Sequence, residues 1–119
     1  MVCRMWHGWT LRSHADAYQS YRKTELFPRL QHELGDGGYR GFHGLRLERE
    51  SEVEFVTLVW FESLDAVRSF AGENYEIPVI SAKARTQLSR HDERTEHFEL
   101  GASSWSEFQH RGNSGSPTE

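Results

Sequence analysis

Cysteine is nearly missing from this chain: Cys3 is the single one in 119 residues. A lone thiol closes no internal disulfide, so the core has to hold without covalent staples, and a reducing, cytoplasmic setting is expected. Long apolar runs are missing as well. Nothing approaches the roughly 20 apolar residues of a membrane span, and the opening MVCRMWHGW lacks the uninterrupted apolar centre of a secretory signal; no membrane partner is expected. Basic excess is absent: 14 Lys and Arg face 18 Asp and Glu, a net charge of −4 with no cationic run. That excludes the electrostatic footprint of a nucleic-acid binder. Missing motifs exclude chemistry in the same way. No G-x-S-x-G elbow supports a serine hydrolase, and no H-E-x-x-H or Cys/His set supports a metal centre.

What the chain has is a strand that runs straight into a helix. In Glu52 to Gly72, Phe55, Thr57, Val59 and Phe61 alternate with Glu54, Val56, Leu58 and Trp60. This is a β pattern rich in branched and aromatic residues, apolar on both faces beyond its first residues, so both faces are expected to be covered. Ser63 then supplies an N-cap and Asp65 a first-turn anion, ahead of Leu64, Val67, Phe70 and Ala71 at helical spacing.

The remaining elements follow in order. Val2 to Thr10 reads as a first strand, with Cys3, Met5, His7 and Trp9 on one face and Arg4, Trp6 and Gly8 on the other. Ser13 to Asp16 has the spacing of a capping box, which predicts a helix from about residue 14. Tyr18, Tyr21, Arg22, Leu26, Leu30 and Leu34 form its inner stripe, and Pro28 predicts a break or kink at Phe27. The glycines from Gly35 to Gly44 fit neither a P-loop nor a dinucleotide fingerprint. They predict a helix cap at Gly35, a turn at Gly37 and Gly38, and a bulge or strand start at Gly41 and Gly44.

A second strand over 42–50 pairs with the next as a hairpin. Pro78 suits the first position of a short helix carrying Ile80, Ala84 and Leu88. A polar strand over 90–100 closes the domain as an edge or as a crossing to a partner. Residues 1–100 make one domain. Residues 101–119 make a C-terminal extension, partly disordered, with Trp105 and Phe108 able to dock.

The order is βαββαβ: an α+β, ferredoxin-like sheet with helices on one face. Strands apolar on both sides then require a cover for the other face, and a homodimer burying two sheets is expected.

GYRGFHGLRL followed by EFVTLVWFESLDAVRSF resembles the antibiotic biosynthesis monooxygenase (ABM) family of dimeric α+β barrel proteins. The resemblance covers about residues 1–100. It implies a pocket between sheet and helices and, in one branch, cofactor-independent oxygenation of an electron-rich aromatic or quinol; in another, haem degradation. Register puts the haem branch's polar positions near Trp6, Phe70 and Ile80, none of which carries that polarity. No cofactor is therefore expected, haem included.

The expected substrate-binding residues are Trp6, Trp60, Phe70 and Tyr75, facing a small aromatic substrate. The candidates for a catalytic polar contact are Arg4, His7, His43 and His97. The alternative is a non-catalytic ligand-binding or stress-associated module of the same fold. No metal is expected: His91 and His97 share a strand face about 20 Å apart. Arg4, in a buried strand, is expected to meet a carboxylate of the last strand or an anionic ligand, and Cys3 to be a small core residue.

Overall fold

In the computed structural model, which describes residues 1–34 and 37–105, the first strand is β1 (Val2–Leu11) and the hairpin is β2 (Tyr39–Glu48) with β3 (Glu52–Phe61). The helices are α1 (Ala15–Tyr21), α2 (Phe27–Leu34), α3 (Leu64–Ala71) and α4 (Ala82–Gln87), and two short strands, β4 (Leu88–His91) and β5 (Glu96–Glu99), end the domain. The described residues form one antiparallel sheet in the order β2-β3-β1-β4, with β5 also on β1. This is the expected ferredoxin-like layout: β4 and β5 are two pieces of one edge strand laid along β1.

Register settles the faces. Val2 lies opposite Phe61, Arg4 opposite Val59 and Trp6 opposite Thr57. Residues directly opposite share a face, so even residues of β1 join odd residues of β3. Val53, Phe55, Val59 and Phe61 are buried on that face. The helices cover it in two clusters, Tyr18, Tyr21 and Ala84 over Val53 and Phe55, and Val67 over Val59, Phe61 and Tyr39 of β2. The other face has no helix among the described residues, and Leu45, Leu47 and Phe98 stay about half exposed there.

Several local expectations change. The Ser13 capping box does not form: Arg12–His14 is a 3₁₀ turn, and α1 has no side-chain cap. Asp16 turns outward to Arg46, 3.1 Å away. Pro28 does not break the helix. A π-helical turn over Arg22–Leu26 precedes it, and the wider turn accommodates a residue that has no N–H and crowds the carbonyl four residues back.

Pro78 begins no helix either. Ser81 caps α4 by accepting from the Ala84 N–H, while Ile80 and Leu88 flank that helix and pack against the core cluster that includes its buried Ala84. The polar strand is interrupted at Asp92, whose carboxylate takes the His7 N–H at 2.9 Å. The bulge expected at Gly41 is present: the register shifts there, with φ +131°. The Gly35 cap, the Leu34 contact, the Phe108 anchor and the tail beyond Trp105 lie outside the described residues or side chains.

Gly44 leaves room for the buried Arg22. A methyl group there would sit 2.9 Å from Arg22 Nη2 and 3.0 Å from the Phe27 ring. Gly44→Ala is expected to lower unfolding free energy by about 1–2 kcal/mol through overpacking, read as a shift of the urea midpoint at constant m-value.

Candidate functional site

Between helices and sheet lies a cavity of about 600 Å³. Its floor is Arg4 and Trp6 from β1 with Thr57 and Val59 from β3. Its walls come from Tyr18 and Tyr21 of α1, from Leu26 and Leu30, from Phe70 of α3, and from Ile80 and Ala84 at α4. The Trp6 indole is held by its N–H, which donates to the Asp92 carbonyl at 3.0 Å. Tyr21 shares a 2.7 Å hydrogen bond with Ser81 Oγ. Tyr18 stands edge-on to Phe55 at 4.9 Å, and burial pushes its phenol up to about 12. These rings are anchored before any ligand arrives.

One buried charge meets this space. Arg4 is only 8% exposed and lies over Phe70, 5.6 Å from the ring centroid. Its Nη1 donates to the Tyr75 carbonyl and to His97 Nε2, the latter at 3.1 Å. The carboxylate expected from the last strand is not the partner. His97 is the residue of β5 directly opposite Arg4, and Glu96 pairs with Met5, on the other face. A guanidinium only donates, so His97 Nε2 accepts and the imidazole is neutral in this contact. Burial, then the Arg4 charge, holds His97 below the ordinary histidine range. Burial also pulls Arg4 down to about 10, which leaves it cationic at neutral pH.

The candidates therefore divide. Arg4, Trp6 and Phe70 line the cavity. Tyr75 and His97 stand next to Arg4, edge to face at 5.1 Å. His7, His43 and Trp60 are on the opposite sheet face, where Trp60 lies against Cys3 across the strands and donates to His43 Nδ1 at 3.0 Å. His43 also meets Trp105, at 5.8 Å between ring centroids. His7 hydrogen-bonds Asp92 at 2.7 Å and lines a second, more open hollow of about 560 Å³ with Trp9, Glu54 and Glu96. Among the described residues no three His, Cys, Asp or Glu side chains gather as a metal site. Cys3 is buried, and burial pushes its thiol up to about 11.

Tyr18, Tyr21, Leu26 and Leu30 were legible as a helix stripe but not as a cavity wall. Their spacing says that they face inward; whether they meet the sheet or line a gap is decided by tertiary packing, which local spacing does not carry.

No protein-family model and no curated protein matches the chain. A solved structure does: the haem-degrader MhuD from Mycobacterium tuberculosis, with two haems bound in its active site, superposes with a TM-score of 0.53 and 17% sequence identity over 87% of this chain and 98% of that one. At this identity the likeness shows the fold, an ABM-like α+β fold as the sequence resemblance implied. It also overturns the expectation that haem is disfavoured, since a protein of this fold holds haem in its active site. Trp6, Phe70 and Ile80, the positions weighed against haem, all line the cavity, so an apolar lining there removes polar contacts without closing the space.

Proposed function

We propose that the chain is an ABM-type monooxygenase whose substrate is a flat, electron-rich aromatic held in the helix-side cavity. The observation that carries this reading is the cavity itself. Its volume lies within the range of ligand pockets, about 300–1,000 Å³, and anchored rings line it around the buried Arg4 cation.

A deprotonated quinol or anthrone reduces oxygen without help. For an anthrone methylene, one oxygen atom becomes the new carbonyl, and the other leaves as water with the two methylene hydrogens. The protein's part is to exclude water, to hold the ring on Trp6 and to stabilise the phenolate with a preorganised donor. Haem is the second substrate to test, suggested by the neighbour of the same fold. The cavity suits a tetrapyrrole in size, and Arg4 suits a carboxylate of its rim. Among the described residues no histidine lines it; its phenols are Tyr18 and Tyr21.

Oxygen uptake with dithranol and with a quinol panel tests the reading. Turnover is expected in the wild type and a loss of about tenfold or more in Trp6→Ala; no uptake with any substrate would remove the oxygenase. Titration with hemin is read by its Soret band. A second reading rests on the absence, among the described lining residues, of a hydrogen-bonded acid–base pair: tight binding of these aromatics without oxygen uptake would identify a binding module.

We also propose that a second copy covers the open sheet face through Leu45, Leu47 and Phe98. Sedimentation at micromolar concentration is expected to give a dimer, and Leu45→Glu a monomer; a wild-type monomer would contradict it.

A further inference from the structure

We infer that Arg4 is an anion-recognition site, taking the carboxylate or phenolate oxygen of an aromatic ligand in the helix-side cavity. The inference rests on the cavity reading above and deepens it by assigning the ligand a charge.

A buried guanidinium is costly unless its donors are met and its charge is balanced. The chain's other deeply buried arginine, Arg22, likewise has only uncharged acceptors among the described residues and a sealed Nε without a partner, but it uses both terminal nitrogens on protein. It donates to the Val56 carbonyl at 3.0 Å, to Thr57 Oγ1 at 2.8 Å and to the Leu45 carbonyl at 3.1 Å. It also lies within 5.8 Å of the ring centroids of Tyr18, Phe27 and Phe55.

Arg4 is arranged differently. Both of its hydrogen bonds use Nη1, to the Tyr75 carbonyl and His97 Nε2, so its Nη2 is left unused where that of Arg22 is engaged. Among the described residues no carboxylate forms an ion pair with it, and neither Nε nor Nη2 has a protein acceptor. Those two nitrogens are not sealed in, and the side chain forms part of the cavity lining. The Nε–Nη2 edge is the side of a guanidinium that matches a carboxylate with two parallel N–H···O bonds, or a phenolate with one.

The surroundings hold that edge in place. Thr95 Oγ1 donates to the same Tyr75 carbonyl at 2.9 Å, and the Thr95 N–H donates to the Glu76 carbonyl at 2.7 Å. The carbonyl that orients Arg4 is therefore itself tied to the edge strand. Phe70 lies beneath the guanidinium, so an aromatic ring carrying the anion has an apolar surface beside the charge. His97, neutral in its contact with Arg4, leaves the Arg4 charge without a carboxylate partner among the described residues.

Two matched pairs of probes test this: 2-anthracenecarboxylate against its methyl ester, and protoporphyrin IX against its dimethyl ester. Each is titrated into the full chain and followed by tryptophan quenching. The wild type is expected to bind the acid of at least one pair about tenfold tighter than its ester, the scale of one charge-assisted hydrogen bond. A preference confined to the anthracene pair identifies a small aromatic acid or phenolate; one confined to the porphyrin pair identifies a tetrapyrrole carboxylate. Arg4→Gln is expected to abolish the preference while Arg4→Lys keeps part of it, with folding checked by circular dichroism. Arg29→Gln, an exposed control at the same cavity, is expected to leave it intact and decides the matter if Arg4→Gln does not fold. Equal binding of acids and esters, or a preference lost in Arg29→Gln, would overturn the anion site alone. Failure of all four probes to bind would overturn it together with the cavity reading.

Discussion

Phe55→Ala is expected to remove about 4 kcal/mol of unfolding free energy. The ring is 1% exposed at the centre of β3. Tyr18 packs against its edge at 4.9 Å, and the guanidiniums of Arg22 and Arg46 lie over it at 5.0 and 5.5 Å. Truncation would open a void beneath α1 that the sheet cannot close, since β1 and β2 flank β3 on both sides. It would also strip the buried Arg22 of one of its three aromatic neighbours. Domains of this size hold about 5–15 kcal/mol in total, so the variant should sit close to its unfolding transition at room temperature. Urea denaturation followed by circular dichroism measures the effect. A loss below about 1 kcal/mol would mean that the α1 half of the core is held elsewhere.

The second large effect is alkaline. Tyr18 titrates at an ordinary 10.0 when unfolded and is pushed up to about 12 in the folded protein, chiefly by burial. Its folded pKa is raised, so its contribution to stability is fully present below pH 10 and is lost as pH climbs through about 12. Below that window the phenol is neutral in both states; within it the unfolded chain ionises first and is favoured. For a side chain 2% exposed, a shift of this size corresponds to on the order of 2 kcal/mol. Cys3, raised from 9.0 to about 11, acts in the same direction and begins a unit earlier. Tyr18→Phe keeps the edge contact with Phe55 and removes the phenol. Its stability should fall less steeply between pH 10 and 12 than that of the wild type, and identical slopes would show that Tyr18 does not ionise on unfolding.

His97 predicts the opposite limb. Its folded pKa is lowered, so its contribution is present above the ordinary histidine range and is lost as pH falls through its depressed value. Protonation there removes one of the two acceptors of Arg4 Nη1 and sets two cations side by side.

How far the sequence could be read depended on the kind of information each element carries. The β3–α3 unit was legible nearly to the residue. Period-2 alternation ran into Ser63, which caps α3 by accepting from Ala66 N–H at 3.2 Å, and both signals are local. Ser13 looked as good a cap as Ser63 and is not one: the chain leaves β1 through a 3₁₀ turn and Asp16 finds Arg46 thirty residues away. The continuous polar strand over 90–100 failed for the same reason. Asp92 hydrogen-bonds the main chain of His7, and Thr95 ties down the 75–76 segment. Neither contact is written in local pattern.

By itself the sequence determined which residues travel together. Alternation put Arg4 with Trp6, and His7 with Trp9, and the order of strands and helices required a two-layer α+β domain. Only the tertiary structure decided which set meets the helices. Pairing Arg4 with Val59 and Cys3 with Trp60 sends Trp6 into the cavity and Trp60 to the sheet face opposite the helices. The physical reason is parity. A strand shows the same period from either side, and a shift of one residue in register exchanges its faces. The choice between them is made by long-range burial, here of Phe55 and Phe61 under α1 and α3, which no single strand encodes.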